Sequence, residues 1–321
     1  DADGFVSGQE LCEKLGVSRT AVWKVIGALR EEGYVIDAVK NKGYRLVQTP
    51  DLVTADEVES LLETSWAARP VVYEEEQAST NQTAKMLAEQ GASHGTLVVA
   101  ERQVSGRGRR GRPWHSPKGS GIWMSILLRP QIHPMSASML TLVAAMAVYD
   151  AISSRVEGCA IKWPNDIVID GRKVCGILTE ASVDFENGGL HYAIVGIGVN
   201  IQEPLGGFAP EIRDVAGALY QGEVPSGVRV RLAAEILNRF FGFYEHLTQR
   251  TFMEAYRQRS LLTGIEVTFT QGDRVHEGLV LGVDDEARLQ VRLPSGEEKL
   301  FSAGEVNIKK DFLERLRRDE N

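Results

Sequence analysis

The chain has 321 residues, of which 43% are hydrophobic and 25% charged, and its formal net charge is −8. This length suits two or three domains of a folded globular protein, and the apolar runs fall short of a membrane span. The acidic balance argues against a protein that coats nucleic acid over its whole surface, although it leaves a local basic face open. Three cysteines (Cys12, Cys159 and Cys175) lack metal-ligand spacing and the start "DADG" is unlike a secretory signal, so we expect a reducing cytoplasm.

The first fifty residues have the pattern of a winged helix-turn-helix. One helix begins at a serine cap, Ser7, and ends at Gly16, and a second helix begins at Ser18 with an apolar stripe along one side. After Gly33, two alternating strands flank an "NKG" turn and predict a β wing.

The segment from Lys14 to Arg45 holds seven basic and three acidic residues, a local charge of +4. A basic hairpin beside a recognition helix can straddle the DNA backbone while the helix enters the major groove. The residues predicted to contact DNA are Ser18, Arg19, Thr20, Trp23, Lys24 and Lys42. Two alternatives stay open. The segment can be a small interaction domain whose basic residues solvate one face, or a winged helix that does not bind DNA, because the sequence starts too late to contain the helix that normally precedes Ser7.

The remaining chain is predicted to form two further domains. We place the first boundary near Pro50, which divides the chain into domains 1–50, 51–263 and 264–321. In the middle domain, helices are predicted at "STNQTAKMLAEQG", "ASMLTLVAAMAVYDAISSRV" and "RVRLAAEILNRFFGFYEHL". Strands are predicted at "GTLVVAERQ", "GIWMSILLRP", "CAIKWP", "DIVIDG", "KVCGILTEASV" and "LHYAIVGIGVNI". Consecutive strands favour an α+β fold with a mostly antiparallel sheet, and the short strands after Gly264 predict a small SH3-like β barrel.

An arginine-rich loop separates the first two of these strands. The window from Arg102 to Arg112 contains five arginines and three glycines. Guanidinium groups match phosphate or carboxylate oxygens in pairs, and glycine lets the backbone approach the same anion closely. The composition therefore predicts an anion-binding loop, with Trp114 placed to cover an apolar part of the ligand. A solvated loop or a nucleic-acid patch is the alternative.

A second group of polar residues, Lys162, Asn165, Asp166 and Lys173, falls on a single predicted hairpin. Lysines near a phosphate-binding loop stabilise charge that develops during attack at phosphorus, and an aspartate such as Asp166 can accept a proton from an incoming amine. The strand "GIGVN" ends in Asn200, and its glycines leave room for a planar ligand.

Five motifs in this order resemble those of biotin protein ligases: "STNQ" (79–82), "GRGRRGRPW" (106–114), "KWPND" (162–166), "GRKVCGIL" (171–178) and "GIGVN" (196–200). The winged helix in front and the small barrel behind are similar to the bifunctional ligase and biotin-operon repressor type. The resemblance implies an enzyme that makes biotinyl-5'-AMP from biotin and ATP with Mg²⁺, and then transfers biotin to a lysine of biotin carboxyl carrier protein, an acetyl-CoA carboxylase subunit. It also implies repression of biotin synthesis genes at operator DNA by a ligand-bound homodimer, with the adenylate as corepressor.

The resemblance further implies a role for individual residues. Biotin would be bound by Ser79, Thr80, Asn81, Gln103, Arg107, Gly108, Arg109, Trp114, Lys173, Gly176 and Gly198. ATP or the adenylate would be bound by Arg109, Arg110, Trp114, Asn165, Lys173 and Asn200. Catalysis would use Lys173, Arg107, Arg109 and Asp166, the last as base for the acceptor lysine, and no residues are assigned to a metal. The loop is expected to be flexible without ligand and to close over biotin and ATP, because the mixed anhydride hydrolyses readily in water.

Two other functions stay open. A lipoate ligase or octanoyl transferase has a related fold and reaction, but lacks a winged helix in front and "GRGRRG". A repressor whose central domain only senses a ligand differs from an enzyme in not turning over ATP with biotin. Lys162 is expected to form a structural ion pair, and "EPLGGFAPE" (203–211) is expected to be a mobile segment over the nucleotide site.

Overall fold

The computed structural model describes residues 4–31, 33–49, 51–63, 69–184, 188–271 and 274–308, so that Pro50 at the predicted domain boundary and residues 309–321 of the predicted C-terminal domain lie outside the described residues. The chain divides into two compact units. One comprises Asp1–Leu52 with Val224–Val228, and the other comprises Val53–Glu223 with Arg229–Asn321. The boundaries of the three predicted domains stay a prediction.

The N-terminal unit is a winged helix-turn-helix. Its elements are α1 (Gly8–Leu15), α2 (Arg19–Glu31), β1 (Val35–Val39) and β2 (Gly43–Gln48), the two strands being antiparallel. Ser7 Oγ accepts a hydrogen bond from Glu10 N at 3.1 Å, and Ser18 Oγ accepts one from Ala21 N at 3.2 Å. Both predicted serine caps are therefore confirmed, and Gly16 ends α1 in the left-handed conformation, with φ 67°.

Val6, two residues before α1, extends the wing. Val6 exchanges two backbone hydrogen bonds with Tyr44, of 2.8 and 2.9 Å, and so adds a bridge to β2. Gly43 sits opposite Val6 with φ +110°, and a Cβ atom at Gly43 would lie 2.1 Å from the Val6 carbonyl oxygen. Only glycine allows this close approach of the two backbones.

The second unit is built on a seven-stranded sheet. Its helices are α3 (Ala55–Ser60), α4 (Thr80–Glu89), α5 (Ser138–Ser153), α6 (Val228–Glu245) and α7 (Met253–Gln258). Its strands are β3 (Val71–Gln77), β4 (Leu97–Gln103), β5 (Gly121–Leu128), β6 (Cys159–Lys162), β7 (Asp166–Ile169), β8 (Arg172–Asp184) and β9 (Gly189–Asn200). The order is β3-β4-β5-β9-β8-β7-β6, and every neighbouring pair is antiparallel except β3 and β4. The predicted α+β fold with a mostly antiparallel sheet is confirmed.

Strand β3 is absent from the predicted elements. Its sequence, "VVYEEEQ", carries three consecutive glutamates, all exposed, which hide the alternation that identifies a half-buried strand. It is one of the two edge strands of the sheet and runs parallel to β4, with α4 as the crossover between them. This crossover places the N-terminus of α4 beside the end of β4.

Helix α5 lies in the core of this unit. Eleven of its sixteen residues are buried, and it packs against β6, β7, β8 and β9. Within the described part of the chain, the stretch Pro134–Ser153 is the one helix long and apolar enough to cross a membrane, with a mean hydropathy of 1.6, and 61% of that window is buried inside the protein. The expectation that all apolar runs are too short for a span is therefore wrong for this stretch, whose apolar surface faces other parts of the protein.

Helix α6 covers the sheet through the apolar stripe predicted for it, with Leu232, Ile236 and Phe240 fully buried. At its start, Arg229 Nη1 lies 2.9 Å from Glu101 Oε2, and the two side chains are 3% and 0% exposed. Glu101 Oε1 also accepts a hydrogen bond from Val53 N at 3.0 Å. This buried ion pair connects α6 to β4.

The C-terminal segment forms a separate antiparallel sheet within the same unit. Its strands are β10 (Glu266–Gln271), β11 (Arg274–Val283), β12 (Leu289–Arg292), β13 (Glu298–Phe301) and β14 (Glu305–Ile308), in the order β13-β12-β11-β10-β14. Phe269 and Phe301 pack edge to face in its core, 4.2 Å between ring centroids. The predicted strands are confirmed and β14 is an addition to them, while closure into a barrel stays a prediction.

Candidate functional site

A cavity of about 550 Å³ opens on one side of the seven-stranded sheet, a volume typical of small-molecule sites. Most of its lining comes from five segments: the start of α4, the arginine-rich loop (105–120) between β4 and β5, the β7–β8 hairpin, strand β9 with the segment after it, and strand β14. The predicted site residues that line it are Ser79, Thr80, Asn81, Gln103, Arg107, Gly108, Arg109, Arg110, Trp114, Asn165, Asp166, Lys173, Gly176, Gly198 and Asn200. The structure thus brings every residue predicted for biotin, ATP and catalysis to one cavity.

The start of α4 forms the polar end of the cavity. Gln103 Oε1 accepts hydrogen bonds from Thr80 N at 2.8 Å and from Thr80 Oγ1 at 3.2 Å. Gln103 Nε2 donates to Ser116 Oγ at 2.8 Å, which fixes the orientation of the Gln103 amide. Ser79, Thr80 and Asn81 are all nearly buried. Polar groups that are buried and held in one orientation favour recognition of a ligand with a matching set of donors and acceptors.

Asn81 is held from behind the cavity. Its Nδ2 donates to Glu180 Oε2 at 2.8 Å and to the Leu178 carbonyl at 3.3 Å, and its Oδ1 accepts from Ser125 Oγ at 2.6 Å. A Cβ atom at Gly196 would lie 2.1 Å from Asn81 Oδ1, so only glycine fits opposite this amide.

Two glycines on adjacent strands, Gly176 and Gly198, form the floor of the cavity. They are directly paired across β8 and β9, and the indole of Trp114 lies over both. A Cβ atom at Gly198 would lie 2.4 Å from Trp114 Nε1, and one at Gly176 would lie 2.8 Å from the ring. Lys173 Nζ lies 5.3 Å from the indole centroid, a cation–π contact, and Trp114 Nε1 is buried without a hydrogen-bond partner among the described residues.

The first arginine of the loop is held by α4. Arg107 is exposed on one side, and the amide of Gln82, with its oxygen turned toward the guanidinium, accepts from Arg107 Nη2 at 2.5 Å and from Nε at 3.3 Å. Gln82 belongs to the "STNQ" motif but is not among the predicted site residues. Its position in the first turn of α4 connects the arginine-rich loop to the polar end of the cavity.

Arg109 points into the protein. Its Nη1 donates to Asn165 Oδ1 at 2.8 Å and its Nη2 donates to the Gly304 carbonyl at 3.2 Å. Burial lowers the pKa of the Arg109 guanidinium below its ordinary value, although Asp166 and Glu305 act in the opposite direction. Both hydrogen-bond partners are neutral oxygens, so a bound anion would offset the desolvation of this cation.

Arg110 and Arg112 contact the C-terminal sheet. Arg112 Nη1 lies 2.6 Å from Glu305 Oε1 and Arg110 Nη1 lies 3.4 Å from Glu305 Oε2. Arg110 has the left-handed backbone conformation, with φ 57° and ψ 31°, inside a short 3₁₀ turn. Glu305, on the unpredicted strand β14, is therefore a site residue that the sequence did not reveal, because it lies 193 residues from Arg112.

The β7–β8 hairpin supplies the acid–base pair of the cavity. Lys173 Nζ lies 2.6 Å from Asp166 Oδ1, with the two side chains 31% and 19% exposed. Lys162 faces Asp166 across the β6–β7 pair, and burial lowers the pKa of its ammonium group while Asp166 acts in the opposite direction. The ion pair of Asp166 is thus with Lys173, and Lys162, on the neighbouring strand, also lines the cavity.

The segment after β9 forms an apolar wall. Asn200 Nδ2 donates to the Gly217 carbonyl at 2.9 Å, and Lys173 N donates to the Val215 carbonyl at 2.7 Å, which ties residues 215–217 to the sheet. Phe208 and Ile212 from the same segment line the cavity. These two side chains were not predicted as site residues, although "EPLGGFAPE" was expected to lie over this region. Its mobility stays a prediction.

The predicted DNA-contacting residues lie in the N-terminal unit, and all six are exposed. Arg19 Nη2 donates to Gln9 Oε1 at 2.9 Å, whereas the indole of Trp23 is 68% exposed on α2. On the wing, Lys42 Nζ and the Arg45 guanidinium lie 5.9 and 4.9 Å from the centroid of Phe5. An exposed helix face beside a basic wing is consistent with contact to DNA phosphates.

Comparisons with known proteins identify the family to which each part of this architecture is similar. Three family models match: an HTH domain over residues 1–45, the biotin/lipoate A/B protein ligase family over residues 73–200, and the biotin protein ligase C terminal domain over residues 263–308. The bifunctional ligase/repressor BirA of Bacillus spizizenii is 39% identical over 303 residues, covering 93% of this chain and 93% of that protein. The chain belongs to the biotin protein ligase family.

Other biotin protein ligases match over the ligase part. The biotin–[acetyl-CoA-carboxylase] ligase of Paracoccus denitrificans is 34% identical over 232 residues, covering 70% of this chain and 95% of that protein. The solved structure of the Aquifex aeolicus biotin protein ligase in complex with biotin and ATP has a TM-score of 0.63 and 28% identity, covering 75% of this chain and 99% of that one. The resemblance predicted from the five motifs is confirmed.

Proposed function

We propose that this protein is an ATP-dependent, AMP-forming biotin protein ligase that also binds operator DNA. The observation that carries the enzymatic part is a single cavity whose lining combines the polar groups of Thr80, Asn81 and Gln103, a glycine floor, and the cationic Lys173 and Arg109. A cyclic urea at one end and a carboxylate at the other match this arrangement of groups.

In the first step, a carboxylate oxygen of biotin attacks the α-phosphorus of ATP. The new P–O bond forms as the bond to the β-phosphate breaks, and pyrophosphate leaves with the electron pair. Lys173 and Arg109 stabilise the negative charge that builds up on the phosphate oxygens. Mg²⁺ is the proposed counter-ion of the ATP phosphates. Arg107 and the Gly108 backbone hold the biotin carboxylate, and closure of the loop excludes water from the mixed anhydride.

The nucleotide would occupy the other side of the floor. Asn165 and Asn200 supply amide groups near the adenylate, and Phe208 and Ile212 offer an apolar surface to the base. Arg110 is also proposed to contact a phosphate group of the nucleotide. Its ion pair with Glu305 holds it at the rim of the cavity. Trp114, over Gly176 and Gly198, would cover the junction between biotin and nucleotide.

In the second step, the ε-amine of a lysine on biotin carboxyl carrier protein attacks the acyl carbon, and AMP leaves. The amine loses one proton as the amide forms, and we assign Asp166 as the acceptor of that proton. The ion pair with Lys173, 2.6 Å between Nζ and Oδ1, holds the carboxylate of Asp166 at the wall of the cavity, where an incoming amine can reach it. Once Lys173 turns to the developing phosphate charge, the aspartate is free to act as the base.

The decisive experiment is incubation of the full chain with ATP, labelled biotin and a biotin carboxyl carrier domain. We expect ATP- and biotin-dependent pyrophosphate release and label in the carrier domain. A carrier domain whose acceptor lysine is replaced by arginine is the control. Biotin binding without pyrophosphate release would instead support a repressor that only senses the ligand, and lipoate transferred in preference to biotin would support the lipoate ligase alternative.

For the DNA-binding part, we propose that the adenylate is the corepressor of biotin synthesis genes in the cytoplasm and that a ligand-bound homodimer presents two α2 helices to a palindromic operator. Sedimentation with and without biotin and ATP tests the dimer, and DNA retardation under the same conditions tests the operator complex. Replacing Lys24 or Lys42 with glutamine should weaken DNA binding and lower its salt dependence by about one counter-ion each, with ligase activity unchanged. Unchanged retardation in these variants, or none in the wild type, would favour a ligase whose winged helix does not bind DNA.

A further inference from the structure

A second cavity, of about 210 Å³, adjoins the first and shares four lining residues with it: Arg109, Asn165, Ile177 and Leu178. The rest of its lining comes from the start of α5, from β8 and from the C-terminal segment of the chain. Its volume is below the range of about 300–1,000 Å³ that drug-sized ligands occupy, so it suits a small ion better than a nucleotide. The two proposed reaction steps leave this second cavity without a ligand.

The lining of the second cavity is polar and positively charged. Arg109 is the one charged side chain among the described residues that line it, whereas the lining of the first cavity also includes the carboxylates of Asp166 and Glu305. Hydroxyl groups are supplied by Ser138, Thr141, Thr179 and Ser302. A guanidinium group accompanied by hydroxyl donors, with no carboxylate beside it on this wall, favours an anion over an ammonium group.

The side chain of Arg109 belongs to the walls of both cavities and is held at two of its nitrogens. Its Nη1 donates to Asn165 Oδ1 at 2.8 Å and its Nη2 donates to the Gly304 carbonyl at 3.2 Å. The Asn165 amide is fixed in turn, because its Nδ2 donates to the Ile177 carbonyl at 3.0 Å. These bonds use two of the five N–H groups of the guanidinium, and both acceptors are uncharged. Arg109 can therefore bind an anion on the side of either cavity.

A pair of threonines positions a further donor in the second cavity. Thr141 Oγ1, on α5, donates to Thr179 Oγ1, on β8, at 2.8 Å. Because Thr179 is the acceptor in this bond, its own proton is left for another acceptor. Neither threonine lines the first cavity. Thr179 thus offers a hydroxyl donor that is held in place and belongs to the second cavity alone.

We propose that inorganic pyrophosphate leaves through the second cavity, where it contacts Arg109 and Thr179 while the adenylate stays in the first. This proposal rests on the proposed function, since pyrophosphate is the product of its first step. Arg109 would follow the leaving group from one cavity to the other and so balance its charge throughout. The acceptor lysine would approach Asp166 in the first cavity, so that the anionic product and the incoming amine do not compete for one space.

The test is the reverse reaction. Inorganic pyrophosphate with Mg²⁺ is added to the full chain carrying biotinyl-5'-AMP, and ATP formation is measured against the pyrophosphate concentration. Ser302 is an exposed residue of the second cavity. Ser302→Glu places a carboxylate there and should raise the half-saturating pyrophosphate concentration about tenfold through charge repulsion. Ser302→Gln has nearly the same size without the charge and is the matched control, expected within about twofold of the wild type.

Thr179 provides a second pair of variants. Thr179→Val keeps the shape but removes the hydroxyl, and should raise the half-saturating pyrophosphate concentration about 10- to 100-fold, the range for a lost hydrogen bond to a charged group. Thr179→Ser keeps the hydroxyl and should restore most of the wild-type value. In the forward reaction, KM for biotin and for ATP should stay within about twofold in all four variants, because neither Thr179 nor Ser302 lines the first cavity.

The outcomes separate this proposal from the proposed function. Equal values for Ser302→Glu and Ser302→Gln, together with a wild-type value for Thr179→Val, would overturn the proposal and leave the ligase function standing. A rise in KM for ATP as large as that for pyrophosphate would also overturn it, because the second cavity would then hold the triphosphate before the reaction. The same is true of slower biotin transfer to the carrier domain with an unchanged pyrophosphate dependence, which would indicate a route for the acceptor lysine.

A wild type that forms neither ATP from biotinyl-5'-AMP nor pyrophosphate from biotin and ATP would instead remove the proposed function itself. The exposed position of Ser302 keeps the comparison decisive if Thr179→Val lowers stability.

Discussion

A single methyl group on the floor of the cavity should disable adenylate formation. In Gly198→Ala, the new Cβ would lie 2.4 Å from Trp114 Nε1 and 2.7 Å from the adjacent ring carbon, whereas ordinary contacts begin at 3.4 Å. The indole must therefore move by about 1 Å, the difference between an ordinary contact of 3.4 Å and the 2.4 Å available. Displacements of this size reduce catalysis by about 100-fold when they misplace reacting groups.

The assay is steady-state pyrophosphate release at varied biotin and ATP, with urea unfolding of the same samples. We expect kcat/KM to fall about 100-fold. The free energy of unfolding should decrease by about 1–3 kcal/mol, the range for overpacked sites. Gly189→Ala is the matched control, because Gly189 lies on the same strand and a Cβ there meets no atom within 4 Å. Wild-type kinetics for Gly198→Ala would refute the reasoning, since the indole would then have no defined place on the floor.

Three further predictions concern other parts of the second unit. Lys173→Ala should lower adenylate formation by about 100- to 1,000-fold with an unchanged thermal unfolding curve, and a near-normal rate would remove Lys173 from the mechanism. Glu101→Gln leaves Arg229 buried beside a neutral partner and should decrease the free energy of unfolding in urea by about 3–5 kcal/mol, while a loss below about 1 kcal/mol would show that water reaches the pair. Burial raises the pKa of Cys159 to about 12 and raises that of Cys175 as well, so few thiolates exist at pH 8. Alkylation of either thiol by iodoacetamide in the native protein should be slow at pH 8 and accelerate on unfolding, and equal rates in the two states would contradict the burial.

The local elements were predictable because short stretches of sequence determine them. The caps at Ser7 and Ser18 use hydroxyls within three residues of the amides they bind, and the apolar stripe of α6 repeats within one helix. Anion binding by the arginine-rich loop was predictable for the same reason, because its guanidinium groups favour an anion wherever the loop lies in the fold. Strand β3 was not predicted because three consecutive exposed glutamates, on a strand at the edge of the sheet, hide its alternating pattern.

Some residues of the candidate site were likewise predictable from the sequence, and others were not. The residues predicted for ligand binding and catalysis were identified as a group, and the structure brings them to one cavity. Gln82, Ser125 and Glu180 were not identified, because their contribution lies in which side chain they hold and not in their own chemistry. Glu305 was missed for a related reason, since a single glutamate in a short C-terminal strand has no local pattern that indicates an arginine partner.

The sequence by itself determined most helices, most strands, the α+β class and the residue types available for binding an anion and a polar ring. Only the tertiary structure decided which groups face each other: Asn81 and Glu180 are 99 residues apart in the chain, and Arg112 and Glu305 are 193 apart. The physical reason is one of range. Periodicity and capping depend on neighbours within a turn or a strand, whereas the direction of a hydrogen bond in a buried network depends on every partner that packing brings within about 3 Å.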